Sequence, residues 1–537
     1  MNLQAKWMLG PMLLGAQLLG LPAAAGSFDK PPEPLIAALD TITDQDVVRH
    51  EEFLTSKECA GRDTPSAGLE RAAVYLIEQY KKLGIAGAAD ANGYLYPFEV
   101  PVVSYQDDDH LAVLSSDGTQ ILHAFVAGED FVPVRGSASG DVEGELLFAG
   151  YGIRDPGEGG YDDFRNVDVK DRIVLLMTHE PRENKKGGPF KGEEPTDHSR
   201  IDRKGLIAQE LGARAVLVVT DPLQHDDLSV LPAEHPRFRR GPHRIQPQLE
   251  VKIPVVHISG EVADALVTLK SLKDWQTIID KKMRGEPRRI EGIRIKLKVD
   301  LKEKQQIVHN VVAAVPGKNP ALNKEWIVIG AHYDHIGMDP FGRIYHGADD
   351  NASGTACLLE ISEALSRPGV ELSRSVMFIH FAGEEKGLVG AFEYCKKPLH
   401  PLEDTVLMIN MDMVGRGRPD EIDAVGLTFS DDLETQVRKA ASMTRARLKV
   451  GKDGMQYFHR SDQLAFWQKG VPVLFFMEPK EHPDYHQVTD TMDKVDMKKV
   501  AKVARLVSGL TYIVSEMDRR PIAKTGKDSA NESEGQR

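Results

Sequence analysis

The chain has 537 residues and a hydrophobic content of 41%, enough for two or three domains with full cores, which excludes a small stapled scaffold. Its formal net charge is −14, and Lys and Arg are scattered instead of gathered into a stripe, so the footprint of a nucleic-acid binder is absent. Three cysteines, Cys59, Cys357 and Cys395, allow at most one bridge and no disulfide framework.

At the N-terminus Lys6 precedes a mostly apolar stretch from Trp7 to Leu21, followed by small residues from Ala23 to Gly26. That order reads as an export signal cut after Ala25, and the mature protein is expected to be secreted or periplasmic. The competing reading, an uncleaved anchor, is disfavoured because the stretch is short of the ~20 residues of a spanning helix. Leu69, Ala72, Ala73, Leu76, Ile77, Tyr80 and Leu83 recur at helical spacing and stop at Gly84, predicting an amphipathic helix with a glycine cap. From about Asp130 short strands take over: Gly144 to Gly152, Arg172 to Met177, Ala215 to Thr220 and Ile253 to Ile258, with one helix from Lys204 to Leu211. Two polar stretches, Pro181 to Arg203 and Pro232 to Gln248, read as surface loops.

Ile293, Ile295, Leu297, Val299 and Leu301 then alternate with charged residues, as in a half-buried strand. Beyond Asn310, strands and helices take turns: strands at Val311 to Val315, Ile327 to Gly330, Val376 to Phe381, Val406 to Asn410 and Val473 to Met477. The helices of this region are expected at Gly354 to Leu365, from near Leu388, at Asp462 to Gln468 and at Asp496 to Ser515. Alternation of this kind predicts an α/β fold with a mainly parallel sheet covered by helices on both faces.

The unusual polar residues of this last region fall just past strand ends, where open α/β sheets build their sites. They are His332 and Asp334, the pair Asp349 and Asp350, the pair Glu384 and Glu385, Asp412, and His486. Each has an ordinary reading: a turn histidine, acids capping a helix, a solvated loop. Taken together, two histidines and several acids at one end of a sheet are about what a pair of divalent ions needs, with room for a water between them. Adjacent acids repel unless a cation or proton relieves them. Nitrogen and oxygen donors without cysteine suit zinc, although cobalt or manganese would fit the same set.

The residues His332 to Asp334, Gly347 to Gly354, Gly383 to Glu385, Asn410 to Asp412, and Tyr485 with His486 resemble the ordered motifs of the dizinc exopeptidase family of secreted bacterial leucyl aminopeptidases. The likeness covers about residues 305 to 515, and the segment Leu54 to Arg62 is similar to the family's N-terminal portion. Residues 130 to 265 resemble the mostly-β protease-associated domain often inserted in such enzymes. Between the expected signal peptide at 1–25 and a tail at 519–537 polar enough to be disordered, the resemblance implies an N-terminal part of the peptidase domain at 26–129, a protease-associated domain at 130–290 and a catalytic domain at 291–518.

By the same resemblance two Zn²⁺ would bind, one at His332 and Asp412, the other at Glu385 and His486, with Asp350 shared. Glu384 would be the general base, and Asp334 would steady His332. Two departures are Gln463, where family members often carry histidine, and Phe458, near where some place an oxyanion-binding tyrosine; Tyr457 and Tyr485 are then the candidate donors. The implied activity is removal of N-terminal residues from peptide or protein substrates by a water held between the ions. A carboxypeptidase or dipeptidase of the same fold would need a cation for the substrate carboxylate, for which Arg416 and Arg418 are placed in sequence. A one-zinc aminoacyl cyclotransferase and a receptor-like binding protein are the remaining readings, both disfavoured by the full set of ligand types.

Overall fold

The computed structural model describes residues 31–525 apart from 90–92, 106–108, 135, 156–159, 184, 186–189, 191–195, 224–250, 268–269 and 339–341. The expected export signal, the polar stretch Pro232 to Gln248 and the end of the tail lie outside the described residues.

Two large sheets organise the chain. In the centre of the first, Ser375–Phe381, Trp326–His332, Thr405–Met411 and Val473–Met477 run parallel in that order. Every residue of these strands except Trp326 is buried, which is why they read as nearly continuous apolar runs without alternation. The margins differ from the expectation of a mainly parallel sheet: Leu301–Val315 pairs antiparallel with Ser375–Phe381, and Glu421–Val425 antiparallel with Val473–Met477. The helix Gly354–Ser366 packs on three of the central strands and on Met497–Ser515. Gln463–Gln468 packs on Val389–Lys396 and on the strands Thr405–Met411 and Val473–Met477. The predicted early helix forms as Ala67–Leu83, where the Ser66 hydroxyl accepts from the Leu69 N–H at 3.1 Å and Gly84 takes φ 71° beyond the last turn.

The second sheet has eight strands, with Gly140–Phe148, Ile173–Met177, Ala215–Val219 and Val255–Ile258 parallel at its centre. Ile173, Leu175 and Met177 enter one core while Val174 and Leu176 enter another on the opposite face, the period of two that a doubly covered strand requires. Three helices, Ile201–Glu210, Gly260–Leu266 and Leu272–Lys282, make this unit more helical than a mostly-β reading expects. Its limits also differ from 130 and 290. His110–Ser115 and Ile121–Phe125 already belong to it, and Arg288–Val299 is its strand and not the opening of the catalytic domain. The chain changes sheets at Asp300, whose N–H donates to the Asp109 carboxylate at 2.6 Å.

The tail departs from expectation at its start. Arg519 pairs with Asp432 at 2.7 Å and Arg520 with Glu325 at 2.7 Å, so residues 519–525 lie against the body. All three cysteines are buried and free. Among the described residues no helix is long and apolar enough to cross a membrane.

Candidate metal centre

Each parallel strand of the first sheet delivers a polar side chain at its C-terminal end. His332 closes Trp326–His332, Asp412 follows Met411 directly, Glu384 and Glu385 leave the turn after Phe381, and His486 stands in the loop after Val473–Met477. Asp350 comes from the irregular turn Ala348–Ser353 that leads into Gly354–Ser366.

That turn is fixed on every side. The Asp490 carboxylate accepts from the N–H groups of Asp349 and Asp350 at 3.1 Å, and the Asn351 amide donates to Met411 O at 2.9 Å. Asp349 is turned away from the cluster: its Oδ1 accepts from the Gly415 N–H at 2.7 Å and its Oδ2 lies 3.3 Å from His482 Nε2. From below, the fully buried Arg62 donates to the carbonyls of Tyr333, His346 and Gly347, each at 2.9 Å, and to Leu54 O. One guanidinium thus ties together the loop carrying His332 and the loop carrying Asp350, which uses Arg62's fixed fork of donors.

Two groups of potential ligand atoms result, His332, Glu384 and Asp412 in one and His335, Asp350, Glu385 and His486 in the other, with Asp350 also close to the first. In one, His332 Nε2 lies 3.2 Å from Asp412 Oδ1, 3.4 Å from Asp350 Oδ1 and 4.0 Å from Glu384 Oε2. In the other, His486 Nε2 lies 3.0 Å from Asp350 Oδ2 and 3.1 Å from Glu385 Oε1. Asp350 therefore offers one oxygen to each group. Bonds of 2.0–2.1 Å to a tetrahedral ion separate neighbouring ligand atoms by about 3.3 Å, close to these edges. Asp350 Oδ2 and His486 Nε2 are buried without a hydrogen-bond partner, so the donor set fits a pair of divalent cations.

The electrostatics point the same way. Burial opposes charge on His486, but Glu385 and Asp350 prevail and raise its pKa to about 9. His332 is likewise raised against burial, by Asp412 and Glu384 first. Burial pushes the Glu384 carboxyl well up, with His332 opposing and Glu385, Asp412 and Asp462 adding to the rise. Protons on the imidazoles stand where cations would relieve the crowded acids, and metal binding at such sites displaces them.

Several sequence-selected residues take other places. His332 Nδ1 is held by the backbone carbonyl of Asp334 at 3.1 Å, while its distance to the Asp334 carboxylate is 3.6 Å. That carboxylate instead accepts from the Thr64 hydroxyl at 3.1 Å and the Glu384 N–H at 3.2 Å, positioning the turn that bears Glu384. Gln463 accepts from the Asn410 amide at 2.9 Å and donates to Phe458 O at 2.8 Å, bracing the strand end before Asp412. Phe458 is a core residue, packed edge-on against Phe429 and Trp467. Tyr485 stacks on His486 with ring centroids 3.9 Å apart, whereas the Tyr457 hydroxyl accepts from the Glu481 N–H at 3.5 Å.

Sequence reasoning missed Arg62 as a clamp, and it missed His335, which joins Asp350, Glu385 and His486 in the second group. His335 was visible in the same six-residue motif as His332, but spacing alone does not separate two histidines in one turn. A third group, His179, Glu183 and Asp221, lies in the second sheet's unit. There Asp221 accepts from Thr178 at 2.9 Å and Gln276 at 3.1 Å, so its oxygens are committed to a hydrogen-bond network.

Residues 310–511 match the sequence profile of peptidase family M28. Among curated relatives, a "Probable leucine aminopeptidase" from Trichophyton verrucosum is 31% identical over 223 residues, covering 40% of this chain and 60% of that protein. Aminopeptidase YwaD from Bacillus subtilis is 26% identical over 294 residues, covering 53% of this chain and 56% of its own length. The chain thus spans somewhat more than half the length of these relatives. The solved structure of a zinc aminopeptidase from Bacillus subtilis shares the fold over 91% of this chain and 98% of that one, with a TM-score of 0.57 at 21% identity.

Proposed function

We propose that this protein is a two-zinc aminopeptidase acting on peptides. The observation that carries the reading is Asp350, whose oxygens lie 3.4 Å from His332 Nε2 on one side and 3.0 Å from His486 Nε2 on the other. His332 and Asp412 would hold one ion, Glu385 and His486 the other, with Asp350 shared. Bound there, the ions would polarise a scissile carbonyl and bring the pKa of a water toward ~7. Glu384, at the edge of the first group, takes the proton of the attacking water at its carboxylate and returns it to the leaving amine. Tyr485 is the better-supported oxyanion donor: its hydroxyl lies 3.4 Å from Arg460 Nη2 and accepts there, leaving its own proton to give.

Direction along the peptide is supported by the arginines. Arg416 is paired with Asp484 at 2.8 Å and lies 3.7 Å from Asp490, and Arg418 is paired with Glu421 at 3.1 Å. Neither is poised for a substrate carboxylate, which favours an aminopeptidase over a carboxypeptidase or dipeptidase. A receptor-like role is disfavoured because the ligand residues and Glu384 converge. The second sheet's unit is read as a protease-associated domain that limits access to the site, and the stretch Trp7 to Gly26 as an export signal.

The test is one tripeptide in free, N-acetylated and C-amidated forms, with products identified by mass and metals by elemental analysis. The expected result is close to two zinc ions per chain, N-terminal residues released from the free and amidated forms, and no reaction of the acetylated form. Release of the C-terminal residue from the acetylated form would overturn the direction. An active preparation with one metal or none would overturn the two-zinc site.

A further inference from the structure

We infer that His335 is a protein ligand of the second ion, so that the two metal positions are unequal: one closed by four protein donors, the other left with three. The inference rests on the two-metal reading and adds a residue to it.

His335 is fully buried, and neither ring nitrogen has a hydrogen-bond partner among the described residues. Its Nδ1 nevertheless lies 2.9 Å from Glu385 Oε1 and 3.7 Å from Asp350 Oδ2, misaligned for a hydrogen bond but at the spacing of atoms that share an ion. The His335 and His486 rings meet edge to face at 5.6 Å, so both nitrogens approach the same point from different directions. Two backbone features hold the ring. The His335 N–H donates to Arg62 O at 3.1 Å, and Gly347 presses against the ring where a Cβ would lie 2.5 Å from it.

With His335, the second position has two imidazoles and two carboxylate oxygens, the full complement of a closed tetrahedral site. The first has His332, Asp412 and the other Asp350 oxygen; Glu384 belongs to the same group, but its carboxylate stays 4.0 Å from His332 Nε2 and is the one the proposed reaction uses as base. Closed sites hold an ion structurally, and sites with three protein donors keep a position for water or substrate. The second position is therefore the one that fills first and exchanges slowly.

The test uses the full-length protein stripped of metal and titrated with cobalt and zinc against a competing chelator. Wild type should bind two ions in two separated steps. His335→Ala should weaken the tighter step by at least the ~10- to 100-fold that loss of a mere outer-shell partner costs, with the weaker step unmoved. His335→Cys guards against a variant that simply misfolds. A cysteine sulfur stands one atom short of a histidine Nδ1; the Zn–S bond, ~0.2–0.3 Å longer than Zn–N, makes up part of that difference and a small shift of the ion the rest. Its cobalt form should gain a thiolate-to-cobalt charge-transfer band in the near ultraviolet, which wild type lacks. A cysteine variant that binds two cobalt ions without the band, or an alanine variant with both affinities unchanged, overturns the role of His335 and leaves the two-metal reading standing. Wild type that binds no cobalt overturns both.

Discussion

Glu384 and Glu385 are neighbours in sequence with opposite surroundings: burial pushes the first well above the usual carboxylate range, whereas His486 and His335 overcome burial to hold the second well below it. The split follows from the partners: histidines face Glu385, whereas three acids crowd Glu384 and only His332 opposes them. Glu384→Gln is expected to keep both metals and lower kcat by roughly 10²- to 10⁴-fold, checked by elemental analysis beside steady-state kinetics. Arg62 acts at a distance from the chemistry. Replacing it with Met strips donors from the buried carbonyls of Tyr333, His346 and Gly347 and leaves Glu51 without its counter-charge. Arg62→Met is expected to cost roughly 3–5 kcal/mol in denaturant unfolding and to lower metal content together with stability. The sequence made the acids and His332 conspicuous because they interrupt apolar strands, but Arg62 sits in an unremarkable polar segment. Three of the carbonyls it holds, those of Tyr333, His346 and Gly347, lie more than 270 residues away, and one sequence does not display contacts at that range.

At the scale of elements, legibility followed burial. The central strands are apolar throughout and were read within a residue or two, and the glycine-capped helix Ala67–Leu83 was marked at its C-terminal end. Asp431–Met443 was missed: only Leu433, Val437 and Ala440 face inward along an otherwise polar helix. Ile121–Phe125 was missed because its residues are mostly exposed and show no alternation; the sheet's first strand, His110–Ser115, was missed although its middle is buried. The turn Ala348–Ser353 carries the sharpest element-level prediction. Gly347 enters it at φ 56°, and a Cβ there would lie 2.2 Å from the Asp350 carbonyl oxygen and 2.5 Å from the His335 ring. Gly347→Ala should therefore displace Asp350 and His335 together, giving a folded protein with both metal steps weakened in chelator competition. Retention of both affinities would show that the turn tolerates the strain.

At the scale of the molecule, the second sheet's unit hangs from a single antiparallel pair, in which Tyr105 is the register partner of Leu301. Residues 106–300 can therefore be replaced by a short turn without stretching the host sheet. Such a variant should keep the metal content of the full-length protein while accepting a different range of peptide lengths, as read by elemental analysis and a length series of substrates. Loss of zinc from the folded variant would mean that the unit supports the centre directly.

The same adjacency bears on how the chain assembles. Leu95–Tyr105 is made about two hundred residues before the strand it must join, and Arg62 more than 270 before its loops. At ~5–20 residues per second of synthesis, the leading segment waits roughly 10–40 s with its apolar faces unpaired. During that wait the intervening unit has time to fold alone, and its completion brings the two ends of the host within reach of each other. The delay is a property of contact order, so refolding from denaturant should accelerate when residues 106–300 are excised. A stopped-flow comparison of the two chains, following burial of the first sheet's tryptophans Trp326 and Trp467, reads that difference directly.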